Sequence, residues 1–405
     1  MRILMVHNRY QQRGGEDAVF EAESALLRTY GHDVHTLEFT NDSIDAQMST
    51  MSKLKLAADT VWSRDGAKKV ADTAEAFGAE VVHFHNTLPL VSPAAYAACQ
   101  QRGISVVQTL HNFRLLCPGV NFFRDGKACE DCLGKPAPVP GIVHGCYRES
   151  RAQTAVVATM ITAHRMRRTW HRDVDMFIAL SEFSRSKFIK GGLPASKLVV
   201  KPNFTEAPAP SPAVERSGFF SVGRLSAEKG IPTLLSAWDR DSASMPLRIA
   251  GDGPFGDMVQ AVASRRPTIH TLGRIDRDGV MQEMRAATAL VFTSECYENF
   301  PVSIVEAYAC GLPVIAPDHG AMSELIQHGR NGLHFEVGNA DDLHEKVQWA
   351  ATHPEEMEQM SRRARATYDA LYTPTRNHEF MMDIYDQAIS RQSADIWEPV
   401  AAGVD

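Results

Sequence analysis

The 405-residue chain lacks several features that would each point to a particular class of protein. It has no apolar run long enough to cross a bilayer, because its least polar stretch, residues 152–163, is short and mixed. Its net charge of −7 argues against a surface that binds nucleic acid over its whole extent. The N-terminal MRILMVHN carries a single arginine and only a short apolar run, which is typical of a first strand rather than a signal peptide. We therefore expect a cytoplasmic globular protein.

Internal repeats and low-complexity tails are absent as well, and the hydrophobic fraction of 44% is ordinary. A chain of this length is expected to form two domains, each with a core of its own. Residues 202–212 (PNFTEAPAPSP) contain four prolines and little apolar content, which indicates a linker. The predicted boundaries are 1–203 for an N-terminal domain, 214–372 for a second domain and 373–405 for a C-terminal helical segment.

Short apolar runs alternate with amphipathic stretches along the chain. This alternation predicts parallel sheets covered by helices on both faces, and hence an α/β protein with two Rossmann-like, doubly wound domains. Such sheets bind ligands at the carboxyl ends of their strands, so two domains facing each other would form a cleft that holds the site. The predicted strands are Ile3–His7, Val34–Phe39, Val81–His85, Ser105–Thr109, Met176–Leu180, Leu198–Lys201, Gly218–Val222, Leu247–Ala250, Ile269–Leu272, Ala289–Thr293 and Val314–Ala316.

The most informative segment is SECYENFPVSIVEAYACGLPVIAPDHGAM, at residues 294–322. A strand runs into a loop that carries Glu298, a helix opens at Pro301, and Glu306 follows on that helix. A helix N-terminus attracts an anion, and two carboxylates accept hydrogen bonds from hydroxyls. A phosphorylated sugar offers both groups, so the segment indicates a site for such a ligand.

Two further motifs precede this segment. FFSVGRLSAEKGIPTLL, at residues 219–235, places Arg224 and Lys229 between a strand and a helix, where two cations suit a diphosphate. GDGP follows at residues 251–254. Read with the next two residues, the latter matches the dinucleotide pattern G-x-G-x-x-G, but it lies on the second strand of its domain and Pro254 removes an N–H, so we do not expect NAD or FAD.

Together and in this order, the three motifs resemble the retaining nucleotide-sugar glycosyltransferases of the GT4 family. The resemblance implies the two-domain GT-B fold, with a C-terminal helix that crosses back onto the first domain. It also implies transfer of a sugar, most plausibly a hexose, from a UDP- or GDP-linked donor to a glycan, lipid-linked or small-molecule acceptor. Polysaccharide biosynthesis is the setting that the family suggests. A sugar-nucleotide epimerase or another non-transferase binder on the same fold is the alternative.

The resemblance also assigns residues. Arg224 and Lys229 would hold the diphosphate, Glu306 the ribose hydroxyls and Glu298 the transferred sugar. Backbone N–H groups would come from Asn299, Phe300, Pro301 and Val302, although proline has none to offer. In the less similar first half, the pair Gly14–Gly15 would approach the donor diphosphate or the acceptor, and His111 would contact the donor sugar. His83 and His85 end a neighbouring strand, where one of them is a further candidate for lining the cleft.

Catalysis is expected to need no metal, because basic residues stand where a divalent ion would otherwise neutralise the leaving group. The acidic triplets DVD at 173–175 and DRD at 276–278 imitate a metal motif. Such triplets are frequent by chance, and the second is typical of a helix N-cap. We assign neither of them to a metal.

Four of the seven cysteines lie within a Gly- and Pro-rich insertion at residues 113–150: Cys117, Cys129, Cys132 and Cys146. The central pair has the C-x2-C spacing of structural zinc sites. Four unrelated thiols or a redox pair are the alternatives. A zinc ion would order a long loop that has little core of its own.

Residues 161–172 (ITAHRMRRTWHR) are basic and include Met166 and Trp170. Such a stretch either forms a solvated helix face or contacts anionic lipid headgroups or an acceptor's phosphates. It is the one segment for which we consider peripheral contact with a membrane.

Overall fold

A computed structural model describes residues 1–11, 14–42, 44, 48–209, 215–240 and 245–397, with side chains described to residue 393. The chain divides into two compact units. The first comprises Met1–Val120, Glu130–Lys201 and the chain from His378 onward. The second comprises Asn121–Cys129 and Pro202–Asn377. The insertion that we predicted within the first domain is therefore shared between the units.

Both six-stranded sheets are parallel, and a short antiparallel hairpin interrupts the chain between two strands of the first sheet. The strands, in chain order, are β1 (Arg2–Arg9), β2 (Asp33–Thr40), β3 (Val81–Phe84), β4 (Ser105–Thr109), β5 (Phe123–Arg124), β6 (Lys127–Ala128), β7 (Met176–Ala179), β8 (Leu198–Val200), β9 (Phe219–Val222), β10 (Leu247–Ala250), β11 (Ile269–Gly273), β12 (Ala289–Val291), β13 (Val314–Pro317) and β14 (Gly332–Phe335).

Most helices lie between successive strands of the chain, as parallel pairing requires, and the last three follow the final strand. They are α1 (Gly15–Thr29), α2 (Thr50–Trp62), α3 (Arg64–Phe77), α4 (Ala94–Gln100), α5 (Val139–His144), α6 (Arg151–Met166), α7 (Thr169–Arg172), α8 (Glu182–Lys190), α9 (Ile231–Asp239), α10 (Gly256–Ala263), α11 (Arg277–Ala286), α12 (Val302–Ala309), α13 (Met322–Leu325), α14 (Ala340–Thr352), α15 (Pro354–Leu371) and α16 (Pro374–Trp397).

The sheet of the first unit has the order β2-β1-β3-β4-β7-β8, and that of the second has the order β11-β10-β9-β12-β13-β14. Each order reverses once beside the first strand of its sheet. The reversals lie between β1 and β3 in the first unit and between β9 and β12 in the second. In doubly wound sheets the crevice at this switch point is where ligands bind.

Burial in the hydrophobic cores of the two units explains why the central strands could be predicted from the sequence. Strands β3 and β4 are buried along their whole length, and β12 and β13 are too, so they are nearly continuous apolar runs. In the second unit Trp238 of α9 is fully buried and donates its indole N–H to the Met245 carbonyl oxygen at 2.8 Å. This bond satisfies the one polar atom of a large core side chain.

All eleven predicted strands are present, which confirms the predicted fold class. The prediction missed β14 and the β5–β6 hairpin. β14 is four residues long, starts at a glycine and contains a half-buried histidine, His334, so it has little of the apolar signal of the other strands. The hairpin strands have two residues each, below what any periodicity can indicate.

The described part of the predicted linker, residues 202–209, is held by hydrogen bonds. Tyr368 donates its hydroxyl to the Thr205 carbonyl oxygen at 2.8 Å, and Arg277 donates to the Thr205 hydroxyl, also at 2.8 Å. Residues 210–212 of the predicted linker lie outside the described residues. The proline-rich segment therefore lies along the second unit.

Helix α16 is longer than the predicted Arg376–Ser390. From His378 onward it belongs to the first unit, where Tyr385 lies 2.8 Å from His83 Nδ1 and Gln392 accepts a hydrogen bond from Ser105 at 3.2 Å. Among the helices whose residues are described, none has both the length and the apolarity needed to cross a membrane.

Candidate active site

The second unit brings its predicted site residues together at the switch point. Arg224 and Lys229 follow β9, and Glu298 follows β12, which pairs with β9 in the sheet. Lys229 Nζ lies 2.5 Å from Glu298 Oε1, although 69 positions separate the two residues in the chain. Ser294 Oγ donates a second hydrogen bond to the same carboxylate oxygen at 2.5 Å.

This ion pair fixes the charge of both groups. Burial acts to lower the pKa of Lys229, but the attraction of the Glu298 carboxylate outweighs it, so the pKa is raised above its ordinary value. For Glu298, burial acts to raise the pKa, and Lys229 outweighs it so that the pKa is lowered. The site therefore contains an ammonium and a carboxylate at neutral pH.

Backbone contacts join the two loops that carry this pair. Thr293 donates its hydroxyl to the Lys229 carbonyl oxygen at 2.8 Å, and the Glu295 N–H donates to the Glu228 carbonyl oxygen at 2.9 Å. Gly230 has φ of 66°, and a Cβ atom there would lie 2.0 Å from the Thr293 carbonyl oxygen. Only glycine allows the loops to approach this closely.

The GDGP motif supports the loop after β9 and is not itself a phosphate loop. The Leu225 N–H donates to the Asp252 carbonyl oxygen at 2.7 Å, and the Phe255 N–H donates to the Leu225 carbonyl oxygen at 2.8 Å. A Cβ atom at Gly251 would lie 1.9 Å from the Gly223 carbonyl oxygen. The glycines of this motif are thus explained by packing against the chain that presents Arg224.

Arg224 is exposed and forms no ion pair with another residue in the described part of the chain. Glu306 lies on α12 with 19% of its side chain exposed, and its Oε1 is 3.8 Å from Arg277 Nε. Burial raises the pKa of Glu306, and Arg277 only partly offsets that effect. Among the described residues, Arg224 is thus a cation without a counter-charge. Glu306 is a carboxylate whose counter-charge, on Arg277, is 3.8 Å away.

Helix α12 begins immediately after the predicted backbone donors. Pro301 is its N-cap with extended backbone, and Val302 is its first residue. The side chains of Asn299 and Phe300 are buried, and the Phe300 ring packs against Tyr372 with centroids 6.0 Å apart. Buried side chains on both sides of the turn hold it in place, so the N–H groups at the start of α12 have a fixed direction.

In the first unit, Gly14 and Gly15 lie at the start of α1. Gly14 is the N-cap, with φ of −115°. Apart from its own helix backbone and chain neighbours, no atom of the described residues lies within 4 Å of a Cβ built at Gly15, and at Gly14 the nearest such atom, Asp17 Oδ2, is 3.8 Å away. Neither backbone conformation nor protein packing requires glycine here, so the pair leaves open space at the N-terminus of a 15-residue helix.

His111, after β4, is held by a row of buried groups. His111 Nε2 lies 2.9 Å from His85 Nδ1, and His85 Nε2 lies 3.5 Å from Glu23 Oε2. The other oxygen of Glu23 is 2.5 Å from Lys201 Nζ. Both side chains of this ion pair are fully buried.

Both histidine rings in this row are neutral. Burial lowers the pKa of His111 to about 3 and that of His85 well below its ordinary value. His85 Nδ1 and His111 Nε2 share one hydrogen bond, in which either ring can be the donor. The contact of His85 Nε2 with Glu23 is not a hydrogen bond, because neither atom has a hydrogen-bond partner among the described residues.

His83 is an interior residue, which corrects the suggestion that it lines a cleft. Its Nδ1 lies 2.8 Å from the Tyr385 hydroxyl and its Nε2 lies 2.7 Å from the Thr109 hydroxyl. The ligand atoms of Glu23, His83 and His85 lie within 4.8 Å of one another, a grouping that resembles a metal site. Lys201 already neutralises Glu23, and both His83 nitrogens have partners, so we do not assign a metal there.

Sequence reasoning did not select Glu16, which lies at the start of α1. Its Oε2 lies 3.3 Å from Asn112 Nδ2, and its buried Oε1 has no hydrogen-bond partner among the described residues. Burial raises the pKa of Glu16 to about 7, although Arg114 acts to lower it. A carboxyl group that titrates near neutrality beside the residue after His111 is a candidate for contact with an acceptor.

Replacing Glu16 with glutamine is expected to stabilise the protein at high pH. The folded-state pKa of about 7 lies above the ordinary value of 4.5, so the wild type loses stability as pH rises from about 4.5 to about 7. The variant lacks this loss, and its advantage should reach roughly 1–3 kcal/mol at pH 8, while near pH 4 the two proteins should differ little. Denaturation at both pH values measures the difference. Glu345→Gln, at an exposed position of α14, should follow the wild type.

The acidic triplets have structural partners. Asp175 accepts hydrogen bonds from the Val106 N–H and from Gln100, both at 2.7 Å. Asp276 is the N-cap of α11 and accepts from the Gly279 N–H at 2.8 Å, which confirms the N-cap prediction. In the basic segment Trp170 is only 2% exposed, so its ring belongs to the core and not to the surface of that segment. The Trp170 ring packs in the interior, with its centroid 5.5 Å from that of His164.

The sequence reasoning also missed three residues: Ser294 and His319 near the ion pair, and Arg277 beside Glu306. His319 Nε2 lies 3.0 Å from the Ser294 carbonyl oxygen, and the His319 ring is 5.7 Å from that of Tyr297. Ser294 and His319 both directly follow the carboxyl ends of neighbouring strands, which is the signal that could have selected them.

Comparison with known proteins assigns the class. The family model described as "Glycosyltransferase Family 4" matches residues 14–207, and the one described as "Glycosyl transferases group 1" matches residues 204–367. Together the two matches cover most of the chain. The chain therefore belongs to the GT4-type glycosyltransferases.

Individual relatives are more distant. D-rhamnosyltransferase WbpZ of Pseudomonas aeruginosa is 31% identical over 159 residues, which are 38% of this chain and 41% of the relative. The GDP-mannose-dependent alpha-mannosyltransferase of Corynebacterium glutamicum is 34% identical over 128 residues, which are 32% of this chain and 29% of the relative. Each match thus spans less than half the length of the curated relative.

Solved structures agree in fold. Anabaena HepE in complex with UDP superposes with a TM-score of 0.66 at 18% identity, covering 95% of this chain and 100% of that chain. The apo form of the lipopolysaccharide outer core galactosyltransferase WaaB gives a TM-score of 0.65 at 17% identity, with coverage of 96% and 100%. These similarities confirm the GT-B fold class.

Proposed function

We propose that this protein is a retaining glycosyltransferase that moves a hexose from a nucleoside diphosphate sugar, linked to UDP or GDP, to a hydroxyl of a glycan, lipid-linked or small-molecule acceptor. The observation that carries the proposal is the Lys229–Glu298 pair at the switch point of the second sheet, with Arg224 on the same loop as Lys229. The names of the two relatives above, a rhamnosyltransferase and a mannosyltransferase, support a hexose.

The donor would bind to the second unit in three parts. Arg224, which has no counter-charge, and Lys229 would contact the diphosphate together with the N–H groups at the start of α12. Lys229 has three N–H donors, so it can keep Glu298 while it donates to a phosphate oxygen. Glu306 would accept hydrogen bonds from the ribose hydroxyls, and Glu298 would accept from the sugar.

These charges would stabilise the departure of the nucleoside diphosphate, since both cations lie where negative charge develops. The first unit would contribute His111 for contact with the donor sugar and the open backbone at Gly14–Gly15 for a phosphate or the acceptor. We infer attack from the face that the leaving group vacates, with the leaving phosphate taking the acceptor's proton.

A thermal-shift series with UDP, GDP and ADP tests donor binding directly. A nucleotide that binds the folded state raises the melting temperature in proportion to the logarithm of its saturation. We expect one of the nucleotides to stabilise the wild type and to stabilise Glu306→Ala clearly less at the same concentration. Equal shifts in the two proteins would remove Glu306 from the ribose site. Binding without any sugar transfer or release of nucleoside diphosphate would favour the alternative, a non-transferase binder.

Turnover is expected to survive EDTA. The positive charge that offsets the leaving group comes from Arg224 and Lys229, so no divalent ion is required for that role. The measurement is the rate of nucleoside diphosphate release before and after chelation. A rate that vanished and returned with added magnesium or manganese would contradict the assignment.

A further inference from the structure

The four cysteines of the insertion follow the pattern C-x11-C-x2-C-x13-C. Between the first two lies the β5–β6 hairpin, and between the last two lies α5. The close pair has the C-x2-C spacing of structural zinc sites, and the two flanking cysteines bring the number of thiols to the four that a tetrahedral site takes. The donor site described above uses none of these residues.

The insertion places strained backbone in a region with little regular structure. Seven described non-glycine residues have positive φ, and five of them lie between residues 113 and 150: Val120, Phe122, Asp125, Arg148 and Glu149. Val120, at 72°, is β-branched, the residue type for which this conformation is least favourable. Each such residue costs roughly 1–3 kcal/mol and persists only where the surroundings enforce it.

The cysteine-bearing segments of the first unit approach one another closely. A Cβ atom built at Gly119 would lie 3.7 Å from Cys117 Sγ and 3.4 Å from Cys146 Cβ. One built at Gly141 would lie 3.5 Å from Cys132 Sγ and 3.1 Å from Pro118 Cγ. Gly119 and Gly141 thus lie beside three of the four cysteines. Cys117 and Cys132 are both buried.

A buried cation faces the same region. Arg165 of α6 donates from Nη1 to the Lys135 carbonyl oxygen, while its buried Nε and Nη2 have no hydrogen-bond partner among the described residues. A guanidinium in this position requires negative charge nearby, which thiol groups in their neutral form do not supply.

We propose that Cys117, Cys129, Cys132 and Cys146 bind one Zn²⁺ ion as thiolates in a structural, tetrahedral site. Cys129 is included as a ligand because of its position in the sequence. It is three residues from Cys132, which keeps the two Cα atoms within about 11 Å of each other. Each thiol gives up its proton on binding, so the centre carries a net charge of −2. Arg165 then lies beside an anionic centre, and its N–H groups can donate to the zinc-bound sulfurs. The binding free energy offsets the strain and the loop entropy.

Elemental analysis of the full-length protein, purified without chelator, provides the test. We expect about one equivalent of zinc in the wild type and less than about half an equivalent in Cys132→Ser and in Cys129→Ser. Cys99→Ser is the matched control, because Cys99 is a buried cysteine of α4 outside the insertion, and it should retain the wild-type zinc content. Removal of zinc should accelerate hydrogen exchange in residues 113–150 while the two sheets stay protected.

Substitution of the metal with Co²⁺ in the wild type provides a readout that does not depend on any variant folding. Tetrahedral thiolate ligation should produce sulfur-to-cobalt charge-transfer bands and intense d–d absorption. Zinc below about half an equivalent in the wild type would overturn the proposal, as would disulfide-bonded cysteines in the freshly purified protein. Zinc content unchanged in both serine variants would equally overturn it.

Discussion

Replacement of Lys229 with alanine is expected to lower turnover by roughly 100-fold or more, through lost stabilisation of the departing diphosphate. The substitution removes a cation from the switch point of the second sheet. It also leaves Glu298 Oε1 without its cation, with hydrogen bonds from Ser294 Oγ and, at 3.8 Å, from Cys296 Sγ. Arg224→Ala should lower turnover by a similar factor, and because Arg224 is exposed and unpaired it should do so without loss of stability. The measurement is steady-state kinetics with the donor that the thermal-shift series selects.

Arg330→Ala is the matched control, since Arg330 is an exposed cation of the second unit on the turn before β14. It should retain wild-type turnover. Melting temperatures distinguish a loss of catalysis from a loss of folded protein as the cause of a lower rate. The proposed role of Arg224 requires lost turnover in a fully folded protein. Near-normal kinetics in both Lys229→Ala and Arg224→Ala would remove the diphosphate assignment.

Replacement of Gly251 with alanine should be severely destabilising, by roughly 3 kcal/mol or more. The residue has φ of 141°, which L-residues rarely adopt, and the added Cβ would lie 1.9 Å from a backbone oxygen, that of Gly223. Gly223 is fixed in turn by a hydrogen bond from its N–H to the Ala250 carbonyl oxygen at 3.1 Å, so neither side can move freely. Denaturant unfolding measures the loss.

The control is in the same motif. Gly256 is the first residue of α10, and nothing lies within 4 Å of a Cβ built there. Gly256→Ala should therefore be neutral or slightly stabilising, because alanine is the better helix former by about 1 kcal/mol. Equal effects of the two substitutions would contradict the view that the GDGP turn packs against the loop of Arg224. Binding of NAD by the wild type would contradict it as well.

The fold could be predicted from the sequence because the central strands of a doubly wound sheet are buried on both faces. Each is then an apolar run, as in Val81–Phe84 and Val314–Pro317. The prediction missed β14 because this strand begins at Gly332 and contains the half-buried His334. Neither face of that strand provides the continuous apolar signal on which the prediction depends.

The candidate site was predicted residue by residue, but its contacts were not. The Lys229–Glu298 pair joins residues 69 positions apart, and it exists because β9 and β12 are neighbours in the sheet. The order of the strands within a sheet cannot be predicted from the local periodicity of the sequence. The same holds for Lys201 and Glu23, which are 178 positions apart, and for the depth of Trp170 in the core.

The most direct test of the account is a time course of nucleoside diphosphate release. Wild type, Lys229→Ala and Arg330→Ala are each incubated with UDP-glucose, GDP-mannose and ADP-glucose. The account predicts slow release from a UDP- or GDP-linked donor by the wild type and by Arg330→Ala, and release at least about 100-fold slower by Lys229→Ala. Release that is equally fast in Lys229→Ala would contradict the account, as would its absence in the wild type with all three donors.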